Sequence, residues 1–266
     1  MHLKMIFSIF TLLIALGPLG CATTSEQKPF TKHPEVNWEK CVQQIPTGPD
    51  SPTNPYPRIQ DFPWMSRNEW CTRVLRILND PVRADAKLGF MGDSITQMWP
   101  KDLGAEKFSD YKPIWMGIGG DRTQTLLWRM ENGELKGLSL ETLVLLIGTN
   151  NLSAGDSPEE VTKGVNLTID QIRKYQPQTR IILMAIFPRE QSPADPLRIK
   201  VRQTNQLLSA SAKSWKVDFL DIGPGLVEKD GTISKKIMGD FVHLTPTGYV
   251  IWADAVTTAL RKQSRG

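Results

Sequence analysis

The sequence predicts an α/β protein, a three-layer α/β/α sandwich on about five parallel strands. Two observations carry this: short apolar runs alternate with stretches of helical period, and no segment repeats. Parallel strands need crossover connections, and right-handed crossovers cover both faces of the sheet.

Taken in order, Ser66 with Glu69 forms a capping box, and Trp70, Val74, Ile77 and Leu78 recur at helical spacing up to Asn79-Asp80-Pro81. Five strands are then expected at Lys87 to Met91, Pro113 to Gly117, Thr142 to Ile147, Arg180 to Phe187 and Val217 to Asp221, each buried on both faces. Ser157-Pro158-Glu159-Glu160 opens one intervening helix with a cap, a proline in the first turn and acidic residues at the positive dipole end. Thr245-Pro246 opens the last helix in the same way. In such a sheet ligands sit at the C-terminal ends of the strands.

Residues 1–20 combine a basic start with an apolar run from Met5 to Leu16 that is too short to span a bilayer, the pattern of an export signal. Gly20-Cys21-Ala22-Thr23-Thr24-Ser25 resembles a bacterial lipoprotein processing site, which implies lipidation of Cys21, although Pro18 occupies the position usually held by Leu, so release after ordinary cleavage is the alternative. The expected location is the bacterial cell envelope, lipid-anchored or else periplasmic or secreted, with the membrane engaged only through that anchor. Residues 21–64, rich in Pro, Thr, Ser and Asn, read as a tether or a surface wrap, and residues 65–266 as the folded domain. Trp38, Phe62 and Trp64 favour the wrap, as apolar anchors, with substrate contact as the less favoured alternative. In an oxidising compartment Cys41 and Cys71 are an expected disulfide, the alternative being two unpaired buried thiols.

With 40% hydrophobic and 23% charged residues, the composition is that of a globular domain. The net charge of +4 is spread without a basic run, so nucleic acid is not an expected partner.

Each polar cluster with chemical potential follows a strand or opens a helix on the same side of the sheet. Gly92-Asp93-Ser94-Ile95-Thr96 is a sharp strand-to-helix turn presenting Ser94. A serine hydroxyl needs a base. Of three histidines, His2 lies in the signal and His33 in the tether, leaving His243 in Gly239-Asp240-Phe241-Val242-His243. Asp240, three residues earlier, is placed to hold its imidazole. Gly120 N–H, the Asn150 amide and Ser94's own N–H are candidate oxyanion donors. Singly, each of these residues has an ordinary reading as a cap, turn glycine or surface histidine. The set taken together favours catalysis.

No lysine-serine/threonine pair follows the glycine turn, so no nucleotide is expected there, and the scattered histidines and cysteines predict no metal and no cofactor. Trp128, Trp215 and Trp252 read as core anchors, whereas Trp99, close after Ser94, is a candidate pocket wall.

Gly92-Asp93-Ser94, Gly120, Gly148-Thr149-Asn150 and Asp240-Phe241-Val242-His243 resemble, in order, the four signature blocks of SGNH hydrolases, also called GDSL-type esterases. Gly117 to Asp121, Leu127-Trp128-Arg129, Asn132 to Leu135 and Phe187-Pro188-Arg189 are similar to the platelet-activating-factor acetylhydrolase Ib catalytic-subunit branch, with the likeness running from about Asp85 to the last helix. The resemblance implies a flavodoxin-like fold, no metal, Ser94 as nucleophile, His243 as base, Asp240 as its orienter, and Gly120 and Asn150 as oxyanion donors. It also implies a short, chiefly acetyl, acyl group, which Ile95 and Val242 beside the nucleophile and base would enclose.

The expected activity is therefore acetyl ester hydrolysis on a small acylated glycan or lipid. The narrower alternative is an envelope carbohydrate O-acetylesterase, and the alternative from another class is a non-catalytic binding module on the same scaffold.

Overall fold

The structure is a computed structural model that describes Cys41 and residues 48–263. The export signal of residues 1–20, Cys21 and Trp38 lie outside the described residues.

Helix α1 (Arg67–Leu78) starts where Ser66 accepts a hydrogen bond from Glu69 N at 3.1 Å. Only half of the expected capping box forms, because the Glu69 carboxylate turns instead to Arg73, 2.9 Å away and one helical turn on. The first strand, β1 (Leu88–Gly92), leads directly into α2 (Ser94–Gln97), which is followed by α3 (Lys101–Phe108). Next come β2 (Ile114–Gly117), α4 (Thr123–Glu131), β3 (Thr142–Leu146), α5 (Thr149–Ser153) and α6 (Pro158–Tyr175). The chain ends with β4 (Arg180–Met184), α7 (Pro196–Ala212), β5 (Asp218–Leu220) and α8 (Pro246–Gln263). At the start of α6 both halves of the Ser157–Glu160 capping box are made.

The strands form one parallel sheet in the order β2-β1-β3-β4-β5, the doubly wound flavodoxin-like order. Side chains alternate across it. Met91, Leu143, Leu145, Ile181 and Leu183 pack on one face with α1, α4, α6 and α7. Phe90, Val144, Leu146, Ile182 and Met184 pack on the other with α3 and α8. Fully burying such side chains contributes roughly 1.5–3 kcal/mol each, so the two cores hold the layers in place. The central strands β1 and β3 are buried throughout, as expected, but β5 is not. It has a neighbour on one side only, and its residues stay partly open to solvent.

Trp128 and Trp252 are buried core residues, and Trp215 packs partly buried against the first core. Trp99 differs from its expected place. It is buried among Phe90, Phe108, Trp115, Tyr249 and Trp252, with ring centroids 4.3–5.8 Å away, and belongs to the core rather than to a pocket wall. Ile95 is 2% exposed in the same cluster, beneath the turn that carries Ser94, while Val242 stays half-buried at the surface.

Residues 48–64 lie on the domain. Thr123 donates to Pro52 O (2.9 Å), Tyr56 N donates to Gln124 O (3.0 Å), and Asp50 meets both Arg122 (2.6 Å) and Gln124 (2.8 Å). A disulfide joins Cys41 to Cys71 of α1, with the Cα atoms 6.1 Å apart.

Candidate active site

Strand order places the site. It reverses direction at β1, between β2 and β3, and the loops leaving the C-terminal ends of these strands meet there. At the end of β1 the chain turns sharply into α2. A side chain on Gly92 would come within 2.2 Å of the Leu146 carbonyl, so the turn packs against β3 as only glycine permits. Asp93 caps α2 by accepting from Ile95 N at 3.0 Å, and Ser94 occupies the first helical position, where backbone N–H groups have no partner within the helix.

Across the sequence from Ser94, the segment before α8 folds back on itself. Asp240 Oδ1 accepts from the backbone N–H groups of Val242 (3.0 Å) and His243 (2.7 Å), closing a tight turn in which Phe241 takes a φ of 64°. The same carboxylate, through Oδ2, meets His243 Nδ1 at 2.7 Å, and His243 Nε2 lies 2.8 Å from Ser94 Oγ. Three side chains thus form one line of contacts, Asp240 to His243 to Ser94.

Two carboxyl groups, Asp240 within this line and Asp93 next to Ser94 in sequence, behave in opposite ways. For Asp240, partial desolvation acts upward, but hydrogen bonds from the His243 ring and from the backbone of His243 and Val242 outweigh it and hold the carboxyl down at about 2. Asp93 is fully buried, and among the described residues only the Ile95 N–H donates to it. Desolvation pushes it up to about 7, its Oδ2 having no hydrogen-bond partner among the described residues.

The next loop, after β2, is a four-residue turn closed by Asp121 N donating to Ile118 O at 3.1 Å. Gly120 has a φ of +73°, the left-handed value that type II turns require at their third residue. A Cβ there would also meet Trp64 at 2.4 Å, so both conformation and space demand glycine. After β3, Asn150 in the first turn of α5 donates through Nδ2 to the Asp121 carbonyl at 2.9 Å, which leaves the second amide hydrogen uncommitted by that bond. Ser94, Gly120 and Asn150 are thus the ends of three adjacent strand-loop units.

Beneath the turn, Asp121 is fully buried. Its Oδ1 accepts from Trp70 Nε1 at 2.7 Å and its Oδ2 pairs with Arg129, which also pairs with Glu134 and donates to Met116 O at 2.8 Å. This network gives a physical role to Asp121, Arg129 and Glu134: they anchor the glycine turn to α4 and α1.

A cleft of about 350 Å³ opens beside Gly120 and Asn150. Its other wall comes from the segment before α1, with Arg58, Phe62 and Trp64 among the lining residues. Phe62 and Trp64 stack at 5.2 Å and remain 40% and 57% exposed. The sequence favours an anchoring role for these aromatics over substrate contact; in the structure their rings border the cleft. Arg58 carries no periodic or motif signal in the sequence.

Comparison with known proteins decides the family. The sequence pattern of the GDSL-like Lipase/Acylhydrolase family matches residues 90–251, more than half of the chain. The chain belongs to this family. It is a carboxylic ester hydrolase. The chain is 38% identical over 204 residues to the platelet-activating factor acetylhydrolase IB subunit alpha1 of Rattus norvegicus, covering 76% of this chain and 84% of that one. The alpha2 subunit of the same organism is 38% identical over 184 residues, covering 68% and 79%. A solved structure described as a putative platelet activating factor from Streptococcus pneumonia superposes with a TM-score of 0.63 at 25% identity, covering 71% of this chain and 91% of that one.

Proposed function

We propose that this acylhydrolase cleaves acetyl esters by a serine mechanism in which Ser94 is the nucleophile, His243 the general base and Asp240 its orienter. The observation that carries the reading is the line of contacts at 2.7 and 2.8 Å ending on Ser94 Oγ, beside the turn that carries Gly120.

The Asp240 carboxylate accepts from His243 Nδ1–H, which leaves Nε2 unprotonated and facing the serine hydroxyl. Ser94 Oγ bonds to the ester carbon as its proton passes to Nε2, and the carbonyl electron pair moves onto oxygen. The N–H groups of Ser94 and Gly120 and the free Asn150 amide hydrogen stabilise that oxyanion, each by on the order of 3 kcal/mol. The pair then returns, the alcohol leaves with the proton from Nε2, and water repeats the sequence to release acetate. The acetyl preference is supported by the acetylhydrolase relatives.

A polyol as the alcohol is favoured by one feature. The cleft beside the oxyanion donors combines exposed aromatic faces with the polar side chains of Asp50, Arg122, Thr125 and Asn150, a surface that suits a sugar ring better than an alkyl chain. Arg58 lies over both rings at 5.2 and 5.1 Å, which disfavours a cationic headgroup at the same faces. An acetylated glycan is therefore the preferred substrate class over an acetylated phospholipid. The Cys41–Cys71 disulfide supports export to an oxidising envelope compartment, with Cys21 as the lipid-anchor residue.

The test is hydrolysis of p-nitrophenyl acetate, butyrate and octanoate by the wild type and by Ser94→Ala, followed by acetate release from acetylated xylo-oligosaccharide and from an acetylated phospholipid. Acetate turnover lost in Ser94→Ala, with faster release from the glycan, is expected. Turnover that survives the substitution removes the serine mechanism, and a folded wild type without turnover overturns the acetyl-ester reading and favours the binding-module alternative.

A further inference from the structure

We propose that Arg58 is a positioning residue that fixes the orientation of the Gly119–Gly120 peptide and thereby aims the Gly120 N–H at the oxyanion. The inference rests on the esterase reading above and names what forms that donor site. Arg58 lies outside residues 90–251, which carry the family pattern, so this part of the site comes from a segment the family pattern does not include.

The Gly119–Gly120 peptide is the central unit of the turn from Ile118 to Asp121. Type I and type II turns differ chiefly by rotation of that one peptide, and with glycine at both central positions no side chain selects between them. Something else must. In a planar trans peptide the C=O and the following N–H point in opposite directions, so holding the Gly119 carbonyl sets the direction of the Gly120 N–H. Arg58 Nη2 donates to that carbonyl at 2.6 Å, and the preceding N–H, of Gly119, donates to Gln97 Oε1 at 2.8 Å. Both neighbours of the Gly120 N–H are thus committed, one to each side.

The guanidinium is itself held. Arg58 is 6% exposed, lies over the stacked rings of Phe62 and Trp64, and has Nη2 4.0 Å from Asp121 Oδ1, the carboxylate fixed by Trp70 and Arg129. A rotated turn would present the Gly119 carbonyl, a partial negative charge, where the oxyanion develops. The Arg58 hydrogen bond opposes that rotation.

The experiment compares the wild type, Ser94→Ala, Arg58→Met and Arg58→Lys as full chains on p-nitrophenyl acetate, well below each measured Tm. Met keeps an apolar stem against the rings but no donor. Its kcat is expected to fall on the order of 10- to 100-fold with KM changed less than about two-fold, somewhat less than deleting an oxyanion donor outright. The rate at which a p-nitrophenyl phosphonate modifies Ser94 should fall by the same factor, because that step develops the same oxyanion. Lys can reach Gly119 O but cannot lie flat over both rings, and a several-fold loss is expected. If Arg58→Met does not fold, Arg58→Lys decides alone. A folded variant of either kind with wild-type kcat, or a loss confined to KM, overturns the positioning role while Ser94-dependent turnover leaves the esterase reading intact. Absence of Ser94-dependent turnover in the wild type overturns both.

Discussion

Tyr249 Oη donates to the Ile95 carbonyl at 2.7 Å across 154 residues of sequence, bracing the helix that follows His243 against the short helix that carries Ser94. The two halves of the proposed nucleophile-base pair sit at the ends of these helices, so the brace holds the His243–Ser94 separation. Tyr249→Phe removes the donor and leaves a buried carbonyl without it. A stability loss of ~1–2 kcal/mol is expected, seen as a drop of a few degrees in Tm, together with a several-fold lower kcat. An unchanged kcat would show that the brace serves stability alone.

Asn150→Ala deletes one proposed oxyanion donor and the hydrogen bond to the Asp121 carbonyl. The expected loss is about 10²–10³ in kcat with KM nearly unchanged, since the contact forms only as charge develops. Steady-state kinetics on an acetate ester reads both constants, and a change in KM alone would place Asn150 in substrate binding.

Asp240 should remain ionised through the whole working range, its carboxyl being held at about 2. Its folded value lies below the ordinary 3.8, so the stability it contributes is present above that value and is lost only as the pH falls from about 4 towards 2. Asp240→Asn keeps an acceptor for the turn but not the charge. It should lower kcat by several orders of magnitude at pH 7 while preserving circular dichroism. An acid limb of kcat/KM above pH 4 that persists in wild type cannot come from this group.

Asp93 carries the opposite sign. Its value rises from 3.8 to about 7 on folding, so the folded state holds the proton more tightly, and its stability contribution falls as pH rises from about 4 to 7. Asp93→Asn cannot ionise. Its Tm, compared with that of wild type, should therefore improve steadily across that interval and reach a constant advantage, equivalent to a few kcal/mol, above it. A difference independent of pH would mean that Asp93 remains charged throughout.

Much of this was legible in the sequence, for identifiable reasons. Ser94, Gly120 and Asn150 stand in short blocks after strands, and Asp240 and His243 in one that precedes the last helix, where local turn chemistry and the α/β order place them on one edge. The five strands were visible as apolar runs because β1 and β3 are covered on both faces. What failed was adjacency. Trp99 follows Ser94 closely in sequence, but the single turn of α2 lies between them and the indole goes into the core. Arg58, Phe62 and Trp64 belong to no periodic pattern, and their place beside Gly120 is set by contacts from Asp50, Pro52 and Tyr56 to α4, long-range contacts without a local signature.

The disulfide gives the segment carrying Arg58 a topological property. Cys41 and Cys71 close a covalent ring of chain that contains Arg58, Phe62 and Trp64. A protease that nicks the exposed tip near Trp64 opens the backbone without severing the molecule, because both new ends stay tied through sulfur. The cut protein would run as one species on a non-reducing gel and as two after reduction, the fragment that carries Arg58 staying tied to α1 through sulfur until then.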